Sequence, residues 1–327
     1  ERPAVAAFVA AAEATSATAA SERPAEAGGS AAAAASERPC RVAITLIAHH
    51  EGERVGALMG GCERGVVAID RLALEPGCRR HGIGSHLVVR ALAIGAGLCR
   101  DGLATVETFD YQAPAFYPRY GFHLDFSRSG FWSGHVYHYF SRPVSASDAS
   151  AAPPPPVPAG YIVEEIVGAP PPAELTTYTR AIFKEHALAV TGEHSRSCPW
   201  ALVARDASGA LRGAISGGGF WGCAFIKHWL AQDVSGGEAT GAASSGTAAT
   251  LMSDLLSAAV AMHSARGYGL VAVETWPWQE QEVSALTAAG FIAEHVRRGL
   301  RDGAAITYWK RDLAAPVESV AAAAGDA

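Results

Sequence analysis

The sequence predicts a mixed α/β (α+β) fold built as two consecutive units, each a mixed sheet flanked by helices. Three observations carry this expectation. Strand-like and helix-like apolar periods alternate along the chain, a proline-rich break near residues 145–158 divides it, and the two halves repeat each other. Length agrees, because 327 residues make two packed units at about 100–200 residues per domain.

Residues 1–39 are mostly Ala, Ser, Glu and Gly, with Glu-Arg-Pro recurring at Glu1, Glu22 and Glu37. So few large apolar groups cannot offset ordering entropy, and a disordered leader is expected. The first unit spans residues 40–144. Residues 42–48 and 54–58 form a hairpin around Glu51-Gly52, followed by a strand over 66–74. Ile83, Leu87, Val88, Ala91, Leu92 and Gly95 keep helical spacing and predict a helix over 82–99. A strand over 104–108, a short helix over 113–120 and an aromatic hairpin over 121–140 close the unit. Pro153 to Pro156 stiffen a linker placed at 145–160. The second unit is expected at 161–314, interrupted by a Gly/Ser/Ala/Thr loop at 235–245 and followed by a disordered tail at 315–327.

The repeat is visible residue by residue. Glu107-Thr108 through Gln112 lines up with Glu274-Thr275 through Gln279, and 279 − 112 = 167. Gly121-Phe122 meets Gly290-Phe291, where 290 − 121 = 169, and Gly60 to Ile69 meets Gly217 to Ile226, where 226 − 69 = 157. The offset jumps by about ten residues across the soft loop at 235–245, where a loop tolerates insertion.

Composition excludes several classes. Lys+Arg 26 against Asp+Glu 32 gives a net charge of −6, with no cationic surplus to gather nucleic acid or acidic lipid. Apolar runs such as 87–98 are broken by Arg90 and fall short of the roughly 18 residues of a membrane span. Cysteines at 40, 62, 78, 99, 198 and 223 form no CxxC pair and no Cys/His cluster, so the reading is no disulfide framework, no metal and a reducing, cytoplasmic setting.

The chemistry-bearing motif follows the strand ending at Leu74. Arg79-Arg80-His81-Gly82-Ile83-Gly84-Ser85 opens a helix, so free N–H groups and the positive end of the helix dipole converge there as an anion cradle. Downstream stands Phe116-Tyr117-Pro118-Arg119-Tyr120-Gly121-Phe122. Together, Leu72-Ala73-Leu74, Arg79-x-x-Gly82-x-Gly84 and Phe116-Tyr117-x-x-x-Gly121-Phe122 resemble the GNAT superfamily of acetyl-CoA-dependent N-acetyltransferases. The resemblance covers residues 41–144 well and 161–313 more weakly.

It implies a mostly antiparallel sheet and acetyl-CoA as co-substrate, without a metal. Leu72, Ala73 and Leu74 are expected beside the pantetheine arm, with the pyrophosphate on amides of Arg79, Arg80, His81, Gly82, Ile83, Gly84 and Ser85. Tyr117 matches the tyrosine that protonates the departing sulfur. Asp70 matches a position where some members keep an acid near the amine, with a surface ion pair to Arg71 or a neighbour as the alternative. His49, His50, His135 and His138 are alternative bases, and Phe131 and Trp132 are candidates for the acceptor wall. The implied acceptor is a small-molecule or peptide amine.

The second copy has lost these groups. Lys227 stands for Asp70, Gly246, Ala249 and Leu251 for Arg79, Gly82 and Gly84, and Ala285-Leu286 for Phe116-Tyr117. Leu255, Leu256, Val260, Val271, Val273 and Phe291 persist, which predicts a folded pseudoenzyme domain paired with the first. Competing readings are a non-catalytic acyl-CoA-binding or scaffolding protein, and a Rossmann-type nucleotide binder, against which the closing aromatic hairpin argues.

Overall fold

Residues rich in Val, Ile and Leu at alternating positions form strands β1 (Val42–His50), β2 (Glu53–Glu63) and β3 (Val66–Leu74) in the computed structural model. The structure describes residues 41–99, 102–149, 156–194, 198–231, 245–300 and 303–313. The expected leader and tail, residues 150–155 of the linker and residues 235–244 of the loop lie outside them.

Helix α1 (Ile83–Cys99) follows β3 and carries the chain across to β4 (Gly102–Phe109), which runs parallel to β3. Ile83, Leu87, Val88, Ala91, Leu92 and Ala96 are buried along one stripe of α1 against Ile44, Leu46, Leu58 and Val67 of the sheet. Each such large side chain contributes roughly 1.5–3 kcal/mol by leaving water. A 3₁₀ stretch, Pro114–Tyr120, then leads to β5 (His123–Arg128), and β6 (Tyr137–Val144) and a short helix α2 (Ala146–Ala149) follow.

The next segment departs from the sequence reading. Strand β7 (Tyr161–Val167) and helix α3 (Ala173–Thr191), expected to open the second unit, belong to the first sheet, whose order is β5-β6-β4-β3-β2-β1-β7. Strand β7 pairs antiparallel with β1, from Ile44↔Val167 to His50↔Tyr161. Leu175 of α3 and Ile166 of β7 pack with Ile47, Ala57 and Met59, covering the sheet face opposite α1. The free edge of β1 and its uncovered apolar face both need a partner, and a strand's local pattern does not say which sheet edge it joins.

The second sheet has the order β12-β13-β11-β10-β9-β8 among the described residues. Its strands are β8 (Cys198–Arg205), β9 (Leu211–Phe220), β10 (Cys223–Ala231), β11 (Leu270–Thr275), β12 (Ile292–Arg297) and β13 (Ile306–Asp312). Helices α4 (Ser245–Ala265) and α5 (Glu280–Ala288) cover it through Leu255, Leu256, Val260 and Leu286.

Register matches between the sheets. The parallel pair β3/β4 runs from Val66↔Leu103 to Ile69↔Val106, and β10/β11 runs from Cys223↔Leu270 to Ile226↔Val273. A bulge leaves Asp70 unpaired opposite Met59 and Gly60, and another leaves Lys227 unpaired opposite Ser216 and Gly217. Glycine is needed at both: a Cβ on Gly60 would lie 2.1 Å from the Ala68 carbonyl oxygen, and on Gly217 1.7 Å from that of Phe225.

The two sheets meet through reciprocal contacts. Arg128 Nε donates to Glu294 Oε2 at 2.8 Å, and Arg297 Nε donates to Asp125 Oδ2 at 2.8 Å. The side chains of Arg128 and Arg297 are only 1% and 4% exposed. Phe126 stacks on His295 at 4.7 Å, and Tyr139 meets Tyr308 edge-on at 5.2 Å. Asp125 and Glu294 are both bulge residues, in β5 and β12, so each bulge aims a carboxylate at the other half.

A disulfide joins Cys62 of β2 to Cys99 of α1, with Cα atoms 6.5 Å apart, which corrects the expectation of no disulfide. The pair is 37 residues apart in sequence, and only the packing of α1 on the sheet brings it together. Cysteine spacing therefore says nothing here about redox compartment. Among the described residues, no helix is long and apolar enough to cross a membrane.

Candidate active site

Pairing between β3 and β4 stops at Ile69↔Val106, although β3 continues to Leu74 and β4 to Phe109. Beyond that point the strands separate, and the inner edge of residues 70–74 has no strand partner on the β4 side. A cavity of about 910 Å³ fills the split. It opens beside the carboxyl ends of two parallel strands and the start of α1, a common ligand position in α/β sheets.

One wall is the expected coenzyme strand and turn: Leu72, Ala73, Leu74, Arg79, Arg80, Gly82, Gly84 and Ser85 all line the cavity. Gly82 has φ +88°, and a Cβ there would meet nothing within 4 Å, so the turn has a left-handed residue facing open space. Arg79 Nε donates to the Leu74 carbonyl at 3.0 Å, and its Nη1 lies 3.4 Å from His186 Nδ1 on α3. That bond occupies one of the Leu74 groups the sequence reading offered to the pantetheine arm. Ser85 Oγ accepts from Tyr120 at 2.6 Å. Two expected residues do not line the cavity: Ile83 is buried in the first core, and His81 is exposed near the Tyr161 hydroxyl.

Tyr117, supplied by the 3₁₀ stretch, also lines the cavity. Burial pushes its hydroxyl up to about 12, so it holds its proton throughout the neutral range. Asp70 lines the cavity from the bulge, and its carboxylate pairs with Arg41, a half-exposed partner. Burial raises the Asp70 carboxyl, and Arg41 and Arg71 oppose the rise.

The four histidines are engaged elsewhere. His49 lies 3.2 Å from Glu164, His50 stacks on Tyr161, His135 pairs with Asp110 and His138 meets Ser127. None lines the cavity. Phe131 is buried beside Phe109, and Trp132 donates from Nε1 to the Gly267 carbonyl at 2.9 Å. They join the halves rather than wall the acceptor space, because the turn that carries them is held by Trp221 through a backbone bond.

Sequence reasoning missed several lining residues. Ile182, Phe183 and His186 come from α3, and Phe220 and Lys227 from β9 and β10. No local pattern announces a residue that reaches the site from across the chain. Glu107 and Tyr137 also line the cavity. Glu107 was legible only as the opening of the repeated Glu-Thr pair. Burial, and then the neighbouring Glu274, push its carboxyl up to about 7, against the pull of Arg297, Arg128 and a hydrogen bond from Tyr137. Among the described residues no cluster of His, Cys, Asp or Glu is arranged to hold a metal ion.

A parallel pair that splits, a glycine-bearing helix start and a buried tyrosine share one cavity. The family model described as acetyltransferase (GNAT) domain matches residues 41–124, and the chain carries such a domain there. The blasticidin-S acetyltransferase of Streptomyces morookaense is 37% identical over 87 residues, 27% of this chain and 64% of that enzyme, so the match spans less than two thirds of the relative. Among solved structures, an Agrobacterium tumefaciens protein described as an acetyltransferase is 18% identical, covering 45% of this chain and 98% of that one with a TM-score of 0.36. An acetyltransferase from Bacillus cereus ATCC 14579 is 26% identical, covering 31% and 74%, with a TM-score of 0.28.

Proposed function

We propose that this chain moves an acetyl group from acetyl-CoA to an amine by direct attack in the cleft of its first half. The observation that carries the reading is the split between β3 and β4 leading into the open turn at Gly82, with Tyr117 lining the same cavity. Amides of the turn and the start of α1, with Arg79 and Arg80, suit a diphosphate. The unpaired edge of residues 70–74 suits the amide groups of a pantetheine arm. Tyr117, neutral at working pH, is the proton donor for the departing sulfur.

The acceptor is a small-molecule or peptide amine, and Ile182, Phe183 and His186 of α3, with Phe220 and Lys227, line the cavity it would enter. The name of the Streptomyces relative makes blasticidin S the first acceptor to try. The second half is a repeat without this chemistry, paired with the first as a pseudoenzyme domain. Equal registers of the parallel pairs and the reciprocal Arg128–Glu294 and Arg297–Asp125 contacts support that reading.

The test is a panel of amines, blasticidin S included, with acetyl-CoA and detection of free thiol. Turnover with one amine, and loss of acetyl-CoA affinity of about tenfold or more in Gly82→Glu, is the expected pair of results; a carboxylate placed about 5 Å from a phosphate costs roughly 3 kcal/mol at an effective dielectric of about 20. Binding by calorimetry without thiol release from any amine would make the chain a coenzyme-binding scaffold instead.

A further inference from the structure

We propose that Lys227 of the second half, together with Arg71 of β3, holds a carboxylate of the acceptor, so that the amine acetylated here carries an acid group of its own. This rests on the acetyl transfer proposed above and names the chemical class of its acceptor.

The cations that line the cavity fall into two groups. Arg79 and Arg80 belong to the turn before α1, and Arg119 precedes Tyr120, which donates to Ser85 at the start of that helix. Those three suit the diphosphate. Arg71 and Lys227 line the same cavity away from the turn. Arg71 stands three residues before Leu74 on β3, about 10 Å along a strand that rises roughly 3.3 Å per residue. Lys227 is the bulge residue of β10 and acts electrostatically on Asp70, the neighbour of Arg71 in the chain.

Neither of these two cations is neutralised by the protein. Arg71 and Lys227 form no hydrogen bond and no ion pair among the described residues. Asp70, which attracts both, is bonded to Arg41 instead. Burial, and then the Arg180 guanidinium of α3, disfavour the charge on Arg71, with Asp70 opposing them. Two guanidinium groups, from β3 and from α3, therefore act on each other with no anion bonded to either among the described residues. Glu107, the other carboxyl on the cavity wall, is pushed up to about 7 and carries less than a full charge at neutral pH.

An anion entering this end of the cavity meets a guanidinium and an ammonium whose donors have no other acceptor, and it relieves the repulsion that Arg71 feels. A carboxylate fits best, because it bears a single charge and sheds its water at less cost than a phosphate dianion. Phe220, Phe183 and Ile182 line the same cavity and offer the anion no competing side-chain donor.

The contact between the halves holds Lys227 in place. The Trp221 carbonyl accepts from the Trp132 backbone N–H at 2.8 Å, and Trp221 Nε1 donates to the Tyr111 hydroxyl at 3.0 Å. Phe220 meets Phe109 edge-on at 5.7 Å. These contacts tie the β9–β10 hairpin to the first half and bring the β10 bulge to its cavity. By the repeat offset Lys227 stands where the first half has Asp70, so an acid in one copy answers to a base in the other. The second half thereby reads the acceptor without joining the chemistry.

The experiment compares amines in matched pairs that differ only in a carboxylate or its primary amide, glycine with glycinamide and β-alanine with β-alaninamide among them. Any carboxylate-bearing amine that turns over in the first panel is added with its methyl ester. Thiol release is recorded for the full chain, Lys227→Met, Lys227→Arg and Arg71→Gln, and the acid-to-amide ratio of kcat/KM is taken within each protein. The ionisation of each amine cancels when ratios are compared between proteins. Lys227→Met and Arg71→Gln are each expected to lower the ratio about tenfold or more, chiefly through KM of the acid, the size of one lost hydrogen bond to a charged group. Lys227→Arg keeps the ratio within threefold of the unchanged protein. Lys227 is exposed, so its variants test the proposal whatever Arg71→Gln does to folding. A ratio unmoved in Lys227→Met overturns the proposal, as do turnover of neutral amines with none of the carboxylate-bearing ones and a tenfold loss of acetyl-CoA affinity by calorimetry in Lys227→Met. O-phosphoethanolamine reacting tenfold better than β-alanine overturns the choice of a carboxylate. Each of these leaves acetyl transfer intact, whereas absence of thiol release from every amine overturns acetyl transfer itself.

Discussion

Arg297→Met tests the seam between the halves. The guanidinium is 4% exposed, and its Nε donates to an Asp125 carboxylate that is 7% exposed, at 2.8 Å. Truncating one partner of such a buried pair costs about 3–5 kcal/mol, because the other charge stays behind without compensation. Asp125 keeps Ser141 at 2.7 Å and His123 at 3.4 Å, which places the cost near the lower end, about 3 kcal/mol or roughly a hundredfold in the folding equilibrium. Asp125→Leu alone strands Arg297 and costs a similar amount. The double variant, with both charges gone and the volume refilled, is expected to lose about 1 kcal/mol or less, since an apolar replacement of a buried pair is often neutral. Urea unfolding followed by tryptophan fluorescence reads all three. A loss below about 1 kcal/mol for Arg297→Met, or a double variant as unstable as the sum of the singles, would refute the reasoning. The Arg128–Glu294 pair, whose glutamate is 14% exposed, is expected to show the same pattern with smaller values.

Two further outcomes follow from single side chains. Tyr117→Phe is expected to lower kcat about a hundredfold with little change in acetyl-CoA affinity, because the ring stays packed and only the proton donor is lost; equal kcat would remove Tyr117 from the chemistry. His263 is buried, neither ring nitrogen has a hydrogen-bond partner, and burial, then Arg266, push its pKa down to about 4. The unfolded chain therefore binds a proton that the folded one refuses, so stability contributed by neutral His263 is full above about pH 6.5 and falls by up to about 3 kcal/mol as pH drops toward 4. Denaturation of His263→Leu at pH 7.5 and 4.5 is expected to show a smaller acid loss than the unchanged protein, and an equal loss would mean the ring is charged when folded.

Much of the site was legible in sequence because its parts are local. The turn from Arg79 to Ser85 needs only a strand, two glycines and a helix start in succession, and Tyr117 sits a fixed few residues before Gly121. Ile83 lies within the motif and was expected to offer its backbone amide, while its side chain is buried in the core. Glu107 was overlooked because a glutamate in a strand has no sequence signature of its environment. Its raised pKa comes first from burial and then from Glu274, 167 residues away by the repeat offset (274 − 107 = 167).

By itself the sequence determined the mixed fold, the helix that follows the Arg79–Ser85 turn and the place of Tyr117 beside it, because hydrophobic period and turn chemistry act over a few neighbouring residues. Only the tertiary structure decided that β7 joins the first sheet and α3 packs on it, that Cys62 meets Cys99, and that α3, Phe220 and Lys227 line the cavity. Those outcomes depend on which exposed edge or apolar face lies free to be covered, a property of the assembled sheet that no stretch of chain encodes alone.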